Sequence, residues 1–78
     1  MDWREHIETK PGVMGGRPVI KGTRVTVELL LDWLASGWSE DDILRNYPRV
    51  TPEDLRAVHA FARDIVADGF FSLEPRAA

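Results

Sequence analysis

Apolar residues recur along residues 51–69 at the spacing of an amphipathic helix. Successive helical residues are about 100° apart, so one side collects six apolar side chains: Leu55, Val58, Phe61, Ala62, Ile65 and Val66. The other side holds Arg56, Ala60, Arg63 and Ala67. Thr51-Pro52-Glu53-Asp54 is typical of a helix start, with a cap, a proline in the first turn and two acids at the positive helix end. We predict a helix that Thr51 caps and that runs to about Asp68, with Gly69 ending it.

Two shorter helices are predicted before this one. Thr26 caps the first, which runs to about Ala35 and ends at Ser36-Gly37, because glycine accepts the left-handed conformation that closes a helix. Ser39 opens the second, with Asp42 in a capping-box position. Tyr47-Pro48 stops this helix after about Asn46, because a proline disfavours helical backbone in the residue before it.

Turn-forming residues dominate the chain before Thr26. Short β-branched stretches alternate there with four turn-forming pairs: Pro11-Gly12, Gly15-Gly16, Arg17-Pro18 and Lys21-Gly22. The apolar stretches are centred on Ile7, Val19-Ile20 and Val25–Val27, and such short runs make short strands at most. We predict a β arm, defined as residues 5–26, with one or two hairpin-like turns.

The order of these elements predicts the fold. A helix followed by a short helix, a turn and a longer helix is the arrangement of a helix-turn-helix module, although other small three-helix bundles share it. We therefore predict a mainly α fold: a three-helix bundle over residues 27–68, preceded by the β arm and followed by a tail at residues 69–78. Seventy-eight residues are too few for a second domain.

Composition excludes several ways of stabilising so small a core. Cysteine is absent, and His6 and His59 are the two histidines, so neither a disulfide nor a structural zinc site is expected. No apolar run approaches the roughly 20 residues that span a bilayer. The mixed polar opening Met1–Glu5 does not resemble a signal peptide, so we expect a cytoplasmic protein without a membrane partner. The remaining way to stabilise so small a core is tight packing aided by association, so we expect a homodimer.

Charge is distributed unevenly along the chain, whose net charge is −3. Residues 1–26 carry five cations against three acids, whereas residues 27–78 carry five arginines against ten acids. No acid lies between Lys10 and Thr26, a segment with four cations. A basic segment joined to an acidic body is an arrangement suited to binding an anion at one end.

Five cations are the candidate DNA-binding residues: Arg17, Lys21, Arg24, Arg56 and Arg63. The first three lie on the acid-free part of the β arm, which would contact a phosphate backbone or a minor groove. Ion pairing with the acidic body is the alternative. It is favoured most for Arg17, which lies in a turn between glycines and a proline that an ion pair would hold in place. Arg56 and Arg63 share an exposed face of the third helix with alanines that would allow close approach to a groove. An ordinary solvated helix face is the alternative there.

Apolar surface in two places predicts a partner. The arc of the first helix is wider than a three-helix core covers, so we expect Leu29 and Trp33 to meet the β arm, a second copy or another protein. Trp33 and Trp38 are also predicted to contribute to the core, and Trp3 to pack against the β arm or a neighbour. In the tail, Phe70, Phe71, Leu73 and Arg76 would either fold back or dock on a partner's surface.

Catalytic, cofactor and metal sites are not expected. Residues 16–23 resemble a phosphate-binding loop, but Lys21-Gly22 stands in the reversed order and Pro18 removes a backbone donor. Glu40-Asp41-Asp42 fits the first turn of a helix, where capping and the helix dipole account for the acids. His59 has no nucleophile at a catalytic spacing, so it is read as a packing or hydrogen-bonding residue.

A longer signature carries a family resemblance. The stretch Pro11-Gly12-Val13-Met14-Gly15-Gly16-Arg17-Pro18-Val19-Ile20-Lys21-Gly22-Thr23-Arg24-Val25-Thr26-Val27 resembles the opening of the bacterial domain-of-unknown-function family 433. The resemblance continues through the first helix, Gly37-Trp38-Ser39, the segment from Ile43 to Pro48 and the run from Thr51 to Leu55, and covers about residues 5–68. It implies a homeodomain-like helix-turn-helix fold with an N-terminal β arm. It also implies the role of an antitoxin beside a toxin with a PIN-like ribonuclease fold.

These features predict a homodimeric antitoxin that neutralises a ribonuclease toxin and binds operator DNA to repress its own operon. The alternative is a protein-interaction adaptor that touches no nucleic acid. It would use the apolar face of the first helix and the Phe70-Phe71 tail.

Overall fold

The computed structural model describes residues 1–69. A two-stranded antiparallel sheet of β1 (Ile7–Glu8) and β2 (Val19–Ile20) precedes three helices, which are α1 (Val27–Ala35), α2 (Glu40–Asn46) and α3 (Pro52–Asp68). Ile7 pairs with Ile20 and Glu8 with Val19 across the sheet. The predicted mainly α fold with a short N-terminal β element is confirmed. Within residues 1–69, no helix has both the length and the apolar character that crossing a membrane requires.

The helix ends lie where the capping residues predicted them. The Thr26 side chain accepts a hydrogen bond from the backbone N–H of Leu29, and Ser39 and Thr51 each form a complete capping box. At the end of α1, Gly37 has φ of +98°, the region that favours glycine. These interactions join residues close in sequence, so the pattern was sufficient to predict them.

Two 3-10 turns, Trp3–Glu5 and Met14–Gly16, were not predicted. The Asp2 side chain caps the first by accepting the backbone N–H of Arg4. In the second, Met14 itself has a positive φ of 49°. Single turns of this kind have no hydrophobic period from which they could be recognised.

The β arm is part of the hydrophobic core. Ile7, Val19 and Ile20 are buried together with residues from all three helices and the turn before α3: Val27, Leu30, Ile43, Val50, Leu55, Ala57 and Val58. An isolated bridge between Val19 and Thr26 closes the sheet onto the start of α1. The arm is therefore a packed layer of the domain, and Ile7, Val19 and Ile20 are not available for contact with a partner.

The buried face of α3 differs from the predicted one. Ala57 and Ala60 are buried, although Ala60 was predicted on the outer side, whereas Ile65 and Val66 are 51% and 65% exposed, although they were predicted to be in the core. The reason is the position of the N-terminal segment, which packs against α3 through the Trp3–Glu5 turn and β1. This extra layer covers the alanines, and the last turns of α3 leave Ile65 and Val66 uncovered.

The tryptophans occupy two different environments. Trp3 packs edge-on against Phe61 of α3, with ring centroids 4.8 Å apart, a partner that the sequence pattern did not indicate. Its Nε1 donates a hydrogen bond to Asp64 at 2.8 Å. Trp33 and Trp38 stack with centroids 4.0 Å apart and pack half-buried against the core, as predicted. An indole combines a large apolar surface with one donor, so α3 offers Trp3 both partners it needs.

Candidate nucleic-acid interface

Arg17 contacts an acid of the first helix. Its Nη1 lies 3.2 Å from Oε1 of Glu28, and both side chains are largely exposed. This pair links the turn before β2 to α1, so the structural alternative for Arg17 is the one that the geometry favours. An exposed ion pair is worth little in stability, but it lowers the positive potential that Arg17 can offer to a phosphate.

Arg24 projects from a turn held by a compact set of hydrogen bonds. The Thr23 hydroxyl donates to the Ile20 carbonyl at 2.7 Å and accepts the N–H of Val25 at 3.0 Å. The N–H of Ile20 donates to the Val25 carbonyl at 2.9 Å. Lys21 lies exposed in the same turn. The backbone under Arg24 and Lys21 is thus fixed, and their side chains extend from it.

Arg49 is the cation that the sequence analysis missed. It lies in the turn between α2 and α3, where the N–H of Val50 donates to the Tyr47 carbonyl at 2.9 Å. Tyr47 is itself fixed, because its hydroxyl accepts the Trp33 indole N–H at 2.9 Å. A cation in the turn of a helix-turn-helix was the available signal, but nothing in the chain pattern places it beside Arg24.

Arg24 and Arg49 line two adjoining concavities. One, of about 420 Å³, is also lined by Glu8 and Lys10. The other, of about 260 Å³, is also lined by Tyr47, and none of the residues 1–69 that line it is acidic. Both concavities share the two arginines, so the β arm and the turn between α2 and α3 form one cationic surface. We call this the Arg24–Arg49 surface.

In the described part of the chain, Glu8 is the one acidic residue that lines either of these two concavities. Its carboxylate accepts the backbone N–H of Gly22 at 3.1 Å and lies 3.5 Å from Lys10 Nζ. The Gly22 hydrogen bond, followed by the nearby lysines, lowers the pKa of Glu8 below its usual range. Glu8 is therefore ionised at neutral pH and is paired with Lys10.

The outer face of α3 presents a second cationic region. Arg56, His59 and Arg63 line one concavity of about 430 Å³ together with Met1 and Ala60. Arg63 is partly engaged, since its Nε and Nη2 both lie 3.2 Å from Oδ1 of Asp64. His59 is exposed. Of the two roles expected for His59, packing is contradicted by this exposure, and hydrogen bonding stays a prediction.

Two of the three alanines that were expected to let α3 approach a groove closely are covered. The core and the N-terminal segment bury Ala57 and Ala60, whereas Ala67 is exposed. The exposed cations of α3 are Arg56 and Arg63.

A buried carboxylate joins the β arm to α3. Asp54 Oδ2 accepts the backbone N–H of Thr51 at 3.0 Å, and Oδ1 lies 2.9 Å from Nδ1 of His6. Asp54 was predicted only as an acid of the first helical turn. The contact with His6 spans 48 residues of sequence, so no local pattern signals it. It fixes the β arm relative to the helix that carries Arg56.

The predicted partner-binding residues fall into three groups. Trp33 is half-buried and covered partly by Trp38 and Tyr47. Part of the apolar surface that was expected to meet a partner is therefore covered within the chain. Leu29 is half-buried. The tail residues Phe70, Phe71, Leu73 and Arg76 lie outside the described residues.

An apolar concavity lies between the β arm, α1 and α3. Pro18, Val27, Leu31 and Phe61 line it, and its volume is about 450 Å³. The Arg17–Glu28 pair borders it. Its residues come from three elements, so no local pattern in the sequence signals this surface. Elsewhere in residues 1–69, no three His, Cys, Asp or Glu side chains come together in a way that could hold a metal ion.

Comparison with known proteins places this fold in a family. The model of the family described as protein of unknown function (DUF433) matches residues 7–62, most of the chain. The chain belongs to the DUF433 family. The resemblance noted from the signature at residues 11–27 is thereby confirmed.

Two relatives extend the comparison. The DUF433 chain is 34% identical over 59 residues to an uncharacterized protein of Sinorhizobium fredii, y4eO, and the match covers 76% of this chain and 27% of that protein. A crystal structure of a DUF433 member protein from Anabaena variabilis is similar with a TM-score of 0.75 and 34% identity, covering 80% of this chain and 61% of that one. The chain thus spans about a quarter of the first relative and less than two thirds of the second.

Proposed function

We propose that this DUF433 protein is the antitoxin of a toxin–antitoxin pair in the cytoplasm. As a homodimer, it binds and neutralises a PIN-like ribonuclease toxin and binds operator DNA to repress its own operon. The family resemblance supports the antitoxin role, and the arrangement of cations on the described residues supports the contact with DNA.

One observation carries the DNA-binding half. Helices α2 and α3 are joined by the short turn at residues 47–51, and α3 leaves its outer face open with Arg56, His59 and Arg63 lining a single concavity. In a helix-turn-helix protein the second helix of the motif lies in the major groove, and its exposed side chains contact base edges and phosphates. Arg56 and Arg63 have the length and the donors for these contacts.

The charge distribution predicts how such binding behaves. The chain carries a net charge of −3, so its body repels DNA, while the β arm and the outer face of α3 concentrate the cations. Association then depends on a few phosphate contacts, and it weakens as salt rises. A homodimer doubles the number of these contacts, and a bound toxin would add surface of its own.

The toxin-binding half is supported by the apolar concavity that Pro18, Val27, Leu31 and Phe61 line. An apolar surface of this kind, bordered by an exposed ion pair, is typical of a protein-binding site. The same observation favours a second candidate function, a protein-interaction adaptor without nucleic-acid binding. The two candidates differ in whether the cations have a ligand.

Gel retardation of the DNA upstream of the gene tests the proposal. The purified protein, with and without the product of the adjacent gene, is titrated onto this DNA at several salt concentrations. We expect retardation that weakens with salt and strengthens in the complex, and inhibition of ribonuclease activity by the chain. Absence of salt-sensitive retardation in both samples would refute the repressor half.

A charge-reversal variant separates the two candidate functions. R24E/R56E removes cations from the β arm and from the outer face of α3, and both residues are exposed. A repressor loses DNA affinity in this variant, whereas an adaptor retains its protein partner unchanged. Circular dichroism on the same sample checks that the helices remain folded.

A further inference from the structure

We propose that the Arg24–Arg49 surface is a binding site for the phosphates of a DNA backbone, distinct from the outer face of α3. The inference rests on the DNA-binding half of the proposed function and adds where the chain holds the backbone. Arg49 has no part in the face that α3 presents, and it stands beside Arg24 because the β arm is packed against the helices.

Both arginines are available to a ligand. Within residues 1–69, neither guanidinium has a carboxylate oxygen within 4.0 Å, whereas Arg4, Arg17, Arg45 and Arg63 each have one. Glu8, the acid in this region, already accepts the Gly22 N–H and contacts Lys10. Among residues 1–69, therefore, no carboxylate neutralises the positive charge of Arg24 and Arg49 at contact distance.

The backbone under the two arginines is fixed. Hydrogen bonds from Thr23 and Val25 hold the turn that carries Arg24, and the bond from Val50 to Tyr47 holds the turn that carries Arg49. A site that is organised before the ligand arrives loses less conformational entropy on binding. Two guanidinium groups on separate rigid turns can each donate two hydrogen bonds to a phosphate oxygen pair.

The shape of the surface favours an extended ligand. The two concavities, about 420 and 260 Å³, adjoin at Thr23, Arg24 and Arg49 and are open to solvent. A small anion would leave most of this surface uncovered, whereas a phosphodiester backbone would extend across both concavities. Most protein hydrogen bonds to DNA go to phosphate and sugar and set the orientation of the protein on the duplex. This is the role that the geometry gives to Arg24 and Arg49.

The site itself is tested with inorganic phosphate. The full ¹⁵N-labelled chain is titrated with phosphate against a chloride control of equal ionic strength, and amide shifts are followed by NMR. We expect saturable shifts at residues 22–25 and 47–50, and their loss in R24Q/R49Q. Shifts absent from these residues overturn the proposal. The proposal is also overturned if a poly-glutamate peptide causes amide shifts equal to those from phosphate and a DNA duplex causes no larger ones. The ligand would then be an acidic protein segment.

The ligand is tested by the salt dependence of DNA binding. Each phosphate contact contributes about 0.9 to the slope of log affinity against log salt, so R24Q/R49Q should reduce the magnitude of that slope by about 2 for each protomer on the DNA. The control variant R4Q/R45Q makes the same change in net charge but removes arginines that face Asp2 and Asp42 on their own elements. We expect a slope close to the wild-type value for it.

The outcomes of the two experiments distinguish this inference from the proposed function. Retardation of DNA with the same slope in both double variants overturns the Arg24–Arg49 site and leaves the repressor intact. Phosphate shifts at the site without any retardation of DNA by the wild-type chain refute the repressor and the DNA ligand together. A reduced slope in R24Q/R49Q alone, with phosphate shifts at the two turns, supports both.

Discussion

Single N–H donors lower the pKa of three carboxyl groups in this protein. The Trp3 indole donates to Asp64, the Ser39 backbone N–H to Asp42, and the Gly22 backbone N–H to Glu8. Each of these hydrogen bonds is the largest cause of a pKa below the usual range of that carboxyl. A hydrogen bond to the charged form favours ionisation, so all three groups stabilise the fold as carboxylates.

The substitution D64N tests this at the contact between Trp3 and α3. A depressed pKa in the folded state adds stability that is present above the ordinary value of 3.8 and is lost as pH falls below it through the folded pKa. We therefore expect the melting temperature of the wild type to decrease as the pH is lowered below about 4. The decrease should be less steep in D64N. Thermal melts followed by circular dichroism from pH 2 to 6 measure both slopes.

D68N serves as the control for D64N. Asp68 lies one turn further along α3 and, within residues 1–69, makes no hydrogen bond with Trp3. Its variant should retain the acid dependence of the wild type. An equal change of slope in D64N and D68N would show that helix charge, and not the Trp3 hydrogen bond, governs the acid response.

Helix ends are the features of the elements that local sequence fixes most firmly. Capping boxes begin α2 and α3, and Gly37 in a left-handed conformation follows α1. The glycine is needed for its backbone alone, because a Cβ placed there would meet no atom within 4 Å. The end of α3 is different, since Gly69 has φ of −81° and ψ of 155°, which any residue adopts.

The variants G37A and G69A compare the loss of a glycine with a positive φ with the loss of a glycine whose φ any residue adopts. An alanine in the left-handed region costs roughly 1–2 kcal/mol, so G37A should lower the free energy of unfolding by about that amount. G69A should change it by less than about 0.5 kcal/mol, as expected for a surface substitution without strain. Urea denaturation provides both values. Equal effects of the two variants would contradict the assignment of Gly37 as the residue that requires a positive φ.

At the scale of the whole molecule, the β arm completes the core of a helical bundle. Ile20 is 1% exposed and pairs with Ile7, and both pack with α1 and α3 residues in one apolar cluster. The His6–Asp54 and Trp3–Asp64 contacts fasten the same segment to α3. A chain of 78 residues buries only a small apolar core, so the residues that this segment adds to it contribute to the stability of the whole domain.

The conservative substitution I20V tests the contribution of the β arm to the core. Removal of one buried methylene costs about 0.5–1.5 kcal/mol, and the protein should unfold cooperatively at a lower urea concentration. I65V removes the same group from a side chain that is 51% exposed, and it should change the free energy of unfolding by less than about 0.5 kcal/mol. If I20V matched I65V, the arm would not be part of the folding unit.

Local signals in the sequence determined the helices and their boundaries. Thr26, Ser39 and Thr51 act through hydrogen bonds to residues three positions on, and Gly37 acts through its own backbone, so their effects are contained in a few residues of chain. The signature around Gly15-Gly16-Arg17-Pro18 was also sufficient to indicate the family.

Tertiary structure decided which faces are covered and which cations meet. Burial of Ala60 and exposure of Ile65 depend on where the Trp3–Glu5 turn lies, and that position depends on contacts across more than 40 residues, such as His6 with Asp54. Arg24 and Arg49 share a surface because the β arm and the turn between α2 and α3, which are distant in sequence, lie side by side. Helical periodicity describes one element at a time, whereas burial and electrostatic potential at a point are sums over all the elements that surround it.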